Sequence, residues 1–417
     1  MQDIDLAADP AADPAAGAAP PRSWAILIAL LLINLPTGTL YAFSVFIPYY
    51  EVLHHVTRAT LSTMFSVSTI GFTVGMLMGP VCYRWASPAR LVLGFGLLIA
   101  AGWALAAMAP DLVVLAIAYG ALFGLGGGFC YNLLAQMLNL SVSSRRRGVA
   151  NGVLTASFAL GAALFAPLCG LALKDYGLRA TLFGMAGITL GATMLASVLI
   201  ANARISLGSA ASLRGGAQSS QPARTFPLMW LGFALGAGVG LLSLSSAAPI
   251  VASYGGQLTQ SLFGTATVAM AATIGRLCGG ALSDVLPVKI IIVGAHALGA
   301  GAMGSLLLFP SAGMAIGAMA LACLGYGLLS GSYAASLARY FGPGLFGRMS
   351  GRLYTAWGLA GIVGPWVAGS AFDRTGSYTP AIAVAACAMA AGAVLSLALP
   401  PAPAPKRASI QAPMRRR

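Results

Sequence analysis

Apolar stretches of about 20 residues, separated by polar or Pro/Gly-rich breaks, recur twelve times along the chain. They fall near 24–48, 61–82, 90–108, 112–138, 148–171, 178–201, 227–250, 260–282, 288–308, 312–338, 346–371 and 378–399. Each is long enough to cross a bilayer as a helix, since about 20 residues at the helical rise match the hydrocarbon thickness. The pattern predicts an all-α membrane protein with twelve transmembrane helices. An even number of spans puts both ends of the chain on one side.

Composition agrees: 58% of the 417 residues are hydrophobic and 8% charged, where a soluble globular chain carries roughly three times that charge density. The first 22 residues hold four aspartates and one arginine. That is the wrong charge for a signal-peptide n-region, so the first span is expected to be retained. With the N-terminus inside, eighteen Lys/Arg fall in inner loops and tails and only Arg58, Lys174, Arg179 and Arg374 in outer loops; Arg276 completes the 23. The positive-inside rule then places both termini in the cytoplasm of a multi-pass protein of the cell (inner) membrane. The net charge of +14 is scattered over alternate loops and forms no stripe for nucleic acid, so no nucleic-acid partner is expected. The six cysteines lie in or at the ends of spans without a CxxC pair, and read as small packing residues.

The chain repeats itself at about 200 residues. Gly152 recurs as Gly351, Pro167 as Pro365, Gly170 as Gly369 and Asp175 as Asp373, at offsets of 199, 198, 199 and 198; Ser44 and Pro48 recur as Ser245 and Pro249 at 201. Two six-helix halves related by a parallel repeat are the architecture of major facilitator transporters, which bind substrate at the midplane between the halves and rock them to alternate access. The organisation predicted is a tail over 1–23, halves over 24–201 and 227–399, a linker over 202–226 and a basic tail over 400–417. Glycines at four-residue spacing (Gly71, Gly75, Gly79; Gly120, Gly124, Gly128; Gly232, Gly236, Gly240) fit close helix crossings. Gly124-Leu-Gly-Gly-Gly128 lies inside a span with no preceding strand, which argues against a dinucleotide loop.

Arg276 is the charge lying deepest in any span. A charge near the bilayer centre costs at least about 2.5 kcal/mol, and is expected to face a water-filled cavity as counter-ion to an anion. The competing reading is an arginine that snorkels to the membrane surface. Three spans carry polar stripes at helical spacing: Asn34, Thr37, Tyr41 and Ser44 in span 1; Tyr131, Asn132, Gln136 and Asn139 in span 4; Tyr326, Ser330, Tyr333 and Tyr340 in span 10. Polar stripes should avoid lipid, either by lining a cavity or by bonding between helices.

These residues resemble the major facilitator superfamily, and within it the oxalate/formate antiporter and monocarboxylate transporter relatives. The resemblance runs over 24–399 and is carried by Thr37 to Phe46, Gly124 to Tyr131, Gly275-Arg276 to Asp284, and Gly351 to Gly358. The superfamily's loop signature after span 2 is worn: Tyr83-Arg84 stands for Asp-Arg, while the second half keeps Ser283-Asp284 with Pro287 for Gly. The resemblance implies that Arg276 binds a substrate carboxylate and that Tyr41, Tyr131 and Tyr326 make aromatic contacts to substrate; Phe158 stands where some relatives have tyrosine. It also implies, for oxalate exchangers, a second cation in span 11, but Trp357 holds that position. One guanidinium pairs bidentately with one carboxylate, so a short monocarboxylate such as lactate or pyruvate is expected. The candidate substrate contacts are Arg276, Tyr41, Tyr131, Asn132, Tyr326, Ser330, Tyr354 and Trp357.

Alternatives on the same scaffold are an oxalate/formate-type exchanger and an efflux transporter of another organic anion. Multidrug cavities usually attract cations with an acid, against which Arg276 argues. An enzyme is not expected, since the spans hold no paired acids, no Ser/His couple and no metal-ligand cluster; no cofactor or metal is expected either. A sensor would carry a soluble output domain, and the tails run to only 23 and 18 residues. The expected partners are the small anion, protons if transport is coupled to them, and lipid head groups at Lys406, Arg407 and Arg415 to Arg417, with the chain a monomer. Symport, antiport and uniport stay open: proton-linked relatives carry an acid near the span 8 arginine or a lysine in span 1, whereas Ala272 precedes Arg276 by four and span 1 has no Lys. His296, the one imidazole in a span, is expected to pack.

Overall fold

Among the described residues, twelve helices, α1 to α12, follow the twelve apolar stretches in order. α1 (Ser23–Thr37) runs on through a 3-10 stretch, Gly38–Val45, into a short helix, Ile47–His54. Then come α2 (Arg58–Cys82), α3 (Pro88–Ala106), α4 (Leu112–Ser141), α5 (147–176) and α6 (178–202). The second half holds α7 (Thr225–Ser253), α8 (Leu258–Val285), α9 (Val288–Leu308), α10 (Ala312–Phe341), α11 (Phe346–Thr375) and α12 (Thr379–Leu397). The computed structural model describes residues 23–56, 58–203 and 222–402. Most of the expected tails and linker, including Lys406, Arg407 and Arg415 to Arg417, lies outside these residues.

Several helices outrun their apolar stretches by a few residues, because a helix continues past the hydrocarbon layer into the polar boundary. Between α5 and α6 the chain turns at Gly177, whose φ of +77° suits a residue without Cβ. Side chains such as Leu171, Ile290, Val394 and Trp366 stand mostly exposed on the outside of the bundle. Such a surface belongs against acyl chains.

Within each half one tight helix crossing sets the frame for the site. A Cβ on Gly128 of α4 would come within 1.9 Å of the Phe72 carbonyl oxygen of α2, so only glycine permits that approach. The repeat places the counterpart in the second half, where Gly275 and Gly279 of α8 lie against the backbone of α10 at Leu324 and Leu328. Gly327 of α10 in turn abuts the Ala272 carbonyl and the Arg276 amide. The backbone of Arg276 is therefore pinned against α10. Between the halves, α2 packs along α11 and α5 along α8.

Candidate substrate-binding site

The Arg276 side chain is 3% exposed. It sits nine residues before the end of α8, about 14 Å of helix from the face that carries residues 23 and 397, here the near face. Nη2 donates to the Tyr326 hydroxyl at 3.3 Å, and the guanidinium lies over two rings, 5.6 Å from the centroid of Tyr41 and 5.2 Å from that of Tyr326. These contacts hold the head group among aromatic faces, where a cation is attracted by ring quadrupoles. It does not snorkel.

Trp357 Nε1 donates to the same Tyr326 hydroxyl at 3.1 Å. With both lone pairs engaged, what Tyr326 can still offer is its proton, and the Tyr41 hydroxyl lies within hydrogen-bond reach of the same group. A group bound here thus meets guanidinium N–H donors and a phenolic donor side by side, an arrangement suited to an anion.

Arg276, Tyr41, Tyr131, Tyr326, Ser330, Tyr354 and Trp357 line one small cavity. Phe72, Thr155, Phe158 and Phe233 complete its wall. The rings contact one another edge to face: Tyr41 and Phe158 at 5.3 Å, Phe72 and Trp357 at 5.6 Å, Phe72 and Phe158 at 5.3 Å between centroids. Across the halves, the hydroxyls of Tyr131 and Tyr354 are bonded at 2.8 Å. Phe72 and Phe233 escaped the sequence reading because a phenylalanine in a span reads equally as core, lipid face or cavity wall.

Asn132 corrects the expectation. It does not line the cavity: its Nδ2 donates to the Gly347 carbonyl at 2.9 Å and to Ser350 Oγ at 3.1 Å, and its Oδ1 accepts from the Tyr83 hydroxyl. A one-residue step along α4 turns the side chain by about 100°, from the cavity at Tyr131 to α11 at Asn132. Most of the other stripe residues also bond between or within helices. Asn34 Nδ2 donates to Ser157 Oγ at 3.0 Å and to the Leu154 carbonyl at 3.3 Å, Asn139 pairs with Asn151, and the Tyr340 hydroxyl donates to the Pro400 carbonyl at 2.7 Å. Tyr333 is buried against Phe233, and the side chain of Ser44 lies outside the described residues. His296 is buried with Nδ1 3.0 Å from the Ile292 carbonyl and Nε2 3.1 Å from that of Gly232. It packs in the second half and does not line the cavity.

Hydrogen bonds between the halves cluster from the cavity to the near face, where they form a gate. Besides Asn132, Gln136 Nε2 donates to the Pro343 carbonyl at 3.0 Å and its Oε1 accepts from the Gly347 amide at 2.5 Å. On the other seam Asp284, at the end of α8, accepts from the Gly148 and Val149 amides of α5 at 2.8 and 2.9 Å. Arg339 steadies the same carboxylate at 3.4 Å. A carboxylate on a helix N-terminus satisfies free amides and meets the positive end of the dipole. Asp284→Ala is expected to weaken this closed gate by about 1–2 kcal/mol. Hydrogen exchange at amides 148 to 152 should then quicken roughly ten-fold, and unchanged exchange would show that the cap does not hold the gate.

The sequence profile of the Major Facilitator Superfamily matches residues 26–365. Human Monocarboxylate transporter 11 is 28% identical, the alignment covering 92% of this chain and 84% of the relative; bovine Monocarboxylate transporter 13 is 26% identical over 91% and 90%. Among solved structures, the proton:xylose symporter XylE superposes with a TM-score of 0.71 at 14% identity, covering 91% of this chain and 96% of that one. The human organic anion transporter MFSD10 superposes with a TM-score of 0.68 at 15% identity, covering 90% and 98%. With its profile match, its duplicated twelve-helix fold and a cavity between the halves, the chain belongs to the Major Facilitator Superfamily, as a transporter that resembles the monocarboxylate transporters.

Proposed function

We propose that the protein moves a small monocarboxylate of the lactate or pyruvate class across the cell membrane by alternating access. The observation that carries this reading is the solitary guanidinium of Arg276, buried at the meeting of the halves inside a wall of aromatic rings. A carboxylate takes two N–H donors from Arg276 and the proton of Tyr326, and its short hydrocarbon end lies against Phe72, Phe158 and Trp357. A dicarboxylate would bury its second charge against those rings without a partner, at a cost of several kcal/mol. The similarity to monocarboxylate transporters supports the same substrate class. The site is complete within one chain, which suits a monomer. The Lys/Arg distribution supports cytoplasmic termini, and the basic C-terminal residues suit contact with anionic lipid head groups.

The test is substrate choice in proteoliposomes, wild type beside Trp357→Lys. Wild type is expected to take up lactate or pyruvate well and oxalate poorly. In Trp357→Lys a second cation joins Arg276, so lactate uptake should fall about ten-fold while oxalate uptake becomes measurable. A wild-type protein that carried only dicarboxylates would overturn the reading.

A further inference from the structure

Thr155 of α5 lines the cavity and is 3% exposed. Its Oγ1 donates back to its own helix, to the carbonyls of Asn151 at 3.0 Å and Gly152 at 3.1 Å, as a helical threonine does in one of its two preferred rotamers. The one proton of the hydroxyl is thereby committed, and what Thr155 presents is lone pairs. Among the described residues no donor reaches them. The other hydroxyls of the wall are placed differently. Those of Tyr131 and Tyr354 hold each other, Tyr41 lies at Tyr326, and Ser330 can turn either to donate or to accept.

The directions of the helices bring Thr155 level with the Arg276 head group. A Cβ added at Gly152 would lie 3.0 Å from the Leu277 carbonyl oxygen and 3.1 Å from that of Arg276, so α5 and α8 touch there. α5 starts at the near face and α8 ends at it, so the two run antiparallel. Thr155 is one turn past Gly152, about 4.5 Å farther from the near face. The Arg276 side chain leans the same way, because helical side chains tilt toward the N-terminus of their own helix. Both then meet in one cavity.

We infer that Thr155 is a specificity-determining residue that selects 2-hydroxy monocarboxylates over their 2-oxo counterparts. The inference rests on the reading of Arg276 as the carboxylate site and narrows it to one substrate class. With the carboxylate on Arg276 and Tyr326, the next carbon of the substrate faces the α5 wall. A hydroxyl on that carbon donates to Thr155 Oγ1 and pairs the buried acceptor. A keto oxygen brings lone pairs against lone pairs, and to answer it Thr155 must surrender its bonds to Asn151 and Gly152. An unsubstituted acid leaves the threonine oxygen buried and unpaired, so it too is disfavoured. A site built around a substrate hydroxyl rejects analogues that lack it far more strongly than an apolar pocket rejects a change of shape. Phe158, on the next turn of α5, takes the hydrocarbon end.

The experiment is titration calorimetry of the purified full chain with lactate, pyruvate and propionate, which share a three-carbon frame and differ at the second carbon. Wild type is expected to bind lactate at least about ten-fold more tightly than either of the others. Thr155→Val keeps the shape and removes the oxygen. In that variant lactate should fall to within about three-fold of propionate, while propionate binds no more weakly than to wild type. Thr155→Ser restores the hydroxyl and should restore the order. Wild type that binds pyruvate or propionate as tightly as lactate overturns the inference alone, as does a Thr155→Val protein that keeps the ten-fold preference. Wild type that binds none of the three strikes the monocarboxylate reading, and the inference falls with it.

Discussion

Replacing Arg276 by glutamine is expected to weaken binding of the transported carboxylate by at least about 30-fold, while the protein folds and inserts normally. Removing one partner of a buried, hydrogen-bonded charge pair costs about 2–5 kcal/mol, and here the charge left without its counter-ion is the substrate's carboxylate. Stability should not suffer in parallel. The guanidinium has one hydroxyl acceptor and two ring faces as protein contacts, and glutamine relieves a buried charge. Arg276→Lys separates point charge from geometry. It keeps the cation but loses the planar fork, so affinity should still fall about ten-fold or more. Binding is readable from the fluorescence of Trp357, whose indole N–H is bonded to the hydroxyl that also meets Arg276. Lysine at wild-type affinity would mean that no bidentate pairing occurs.

Gly280→Val is expected to abolish transport by a different route. A Cβ at Gly280 would lie 2.4 Å from the Gly148 oxygen and 2.4 Å from Gly152 Cα, both backbone atoms of α5 in the other half. Backbone cannot give way as a flexible side chain does, so valine wedges the α5–α8 seam apart. Overpacking of about 3 kcal/mol shifts the gate away from its closed form by roughly 100-fold. The nearest atoms to that Cβ all belong to the opposite half, so each six-helix half should fold as before and thermal stability should be nearly unchanged. Gly128→Val is the contrast: its obstruction is Phe72 within the same half, and it should lower stability outright. Cysteine accessibility at the near face, with uptake beside it, separates a jammed gate from a misfolded protein. Full transport by Gly280→Val would show that the α5–α8 contact is not needed in the cycle.

Much of this architecture was legible because the bilayer imposes a simple rule on sequence. Twelve apolar stretches, the offset near 200 and the placement of Arg276 all follow from burying backbone in hydrocarbon and tolerating one charge where function demands it. The tyrosines were readable for the same reason, since a hydroxyl in a span needs a partner. A stripe, however, records only which face avoids lipid. Tyr131 and Asn132 are neighbours in sequence, yet one lines the cavity and the other ties α4 to α11. Asn34 shares a stripe with Tyr41 but bonds to α5. The Asp284 cap on α5 was invisible because it joins residues 136 positions apart, and no local pattern announces a partner at that distance. Phe72 and Phe233 belong to a residue type that membranes use everywhere.

Counterflow in proteoliposomes tests the central claim most directly, with labelled lactate, pyruvate, formate and oxalate offered in turn to wild type and Arg276→Gln. Wild type is predicted to accumulate a monocarboxylate, with oxalate far behind, and the variant to accumulate none. Oxalate uptake equal to or above lactate would contradict the single-carboxylate site, and lactate uptake that survives in Arg276→Gln would contradict the role given to the buried guanidinium.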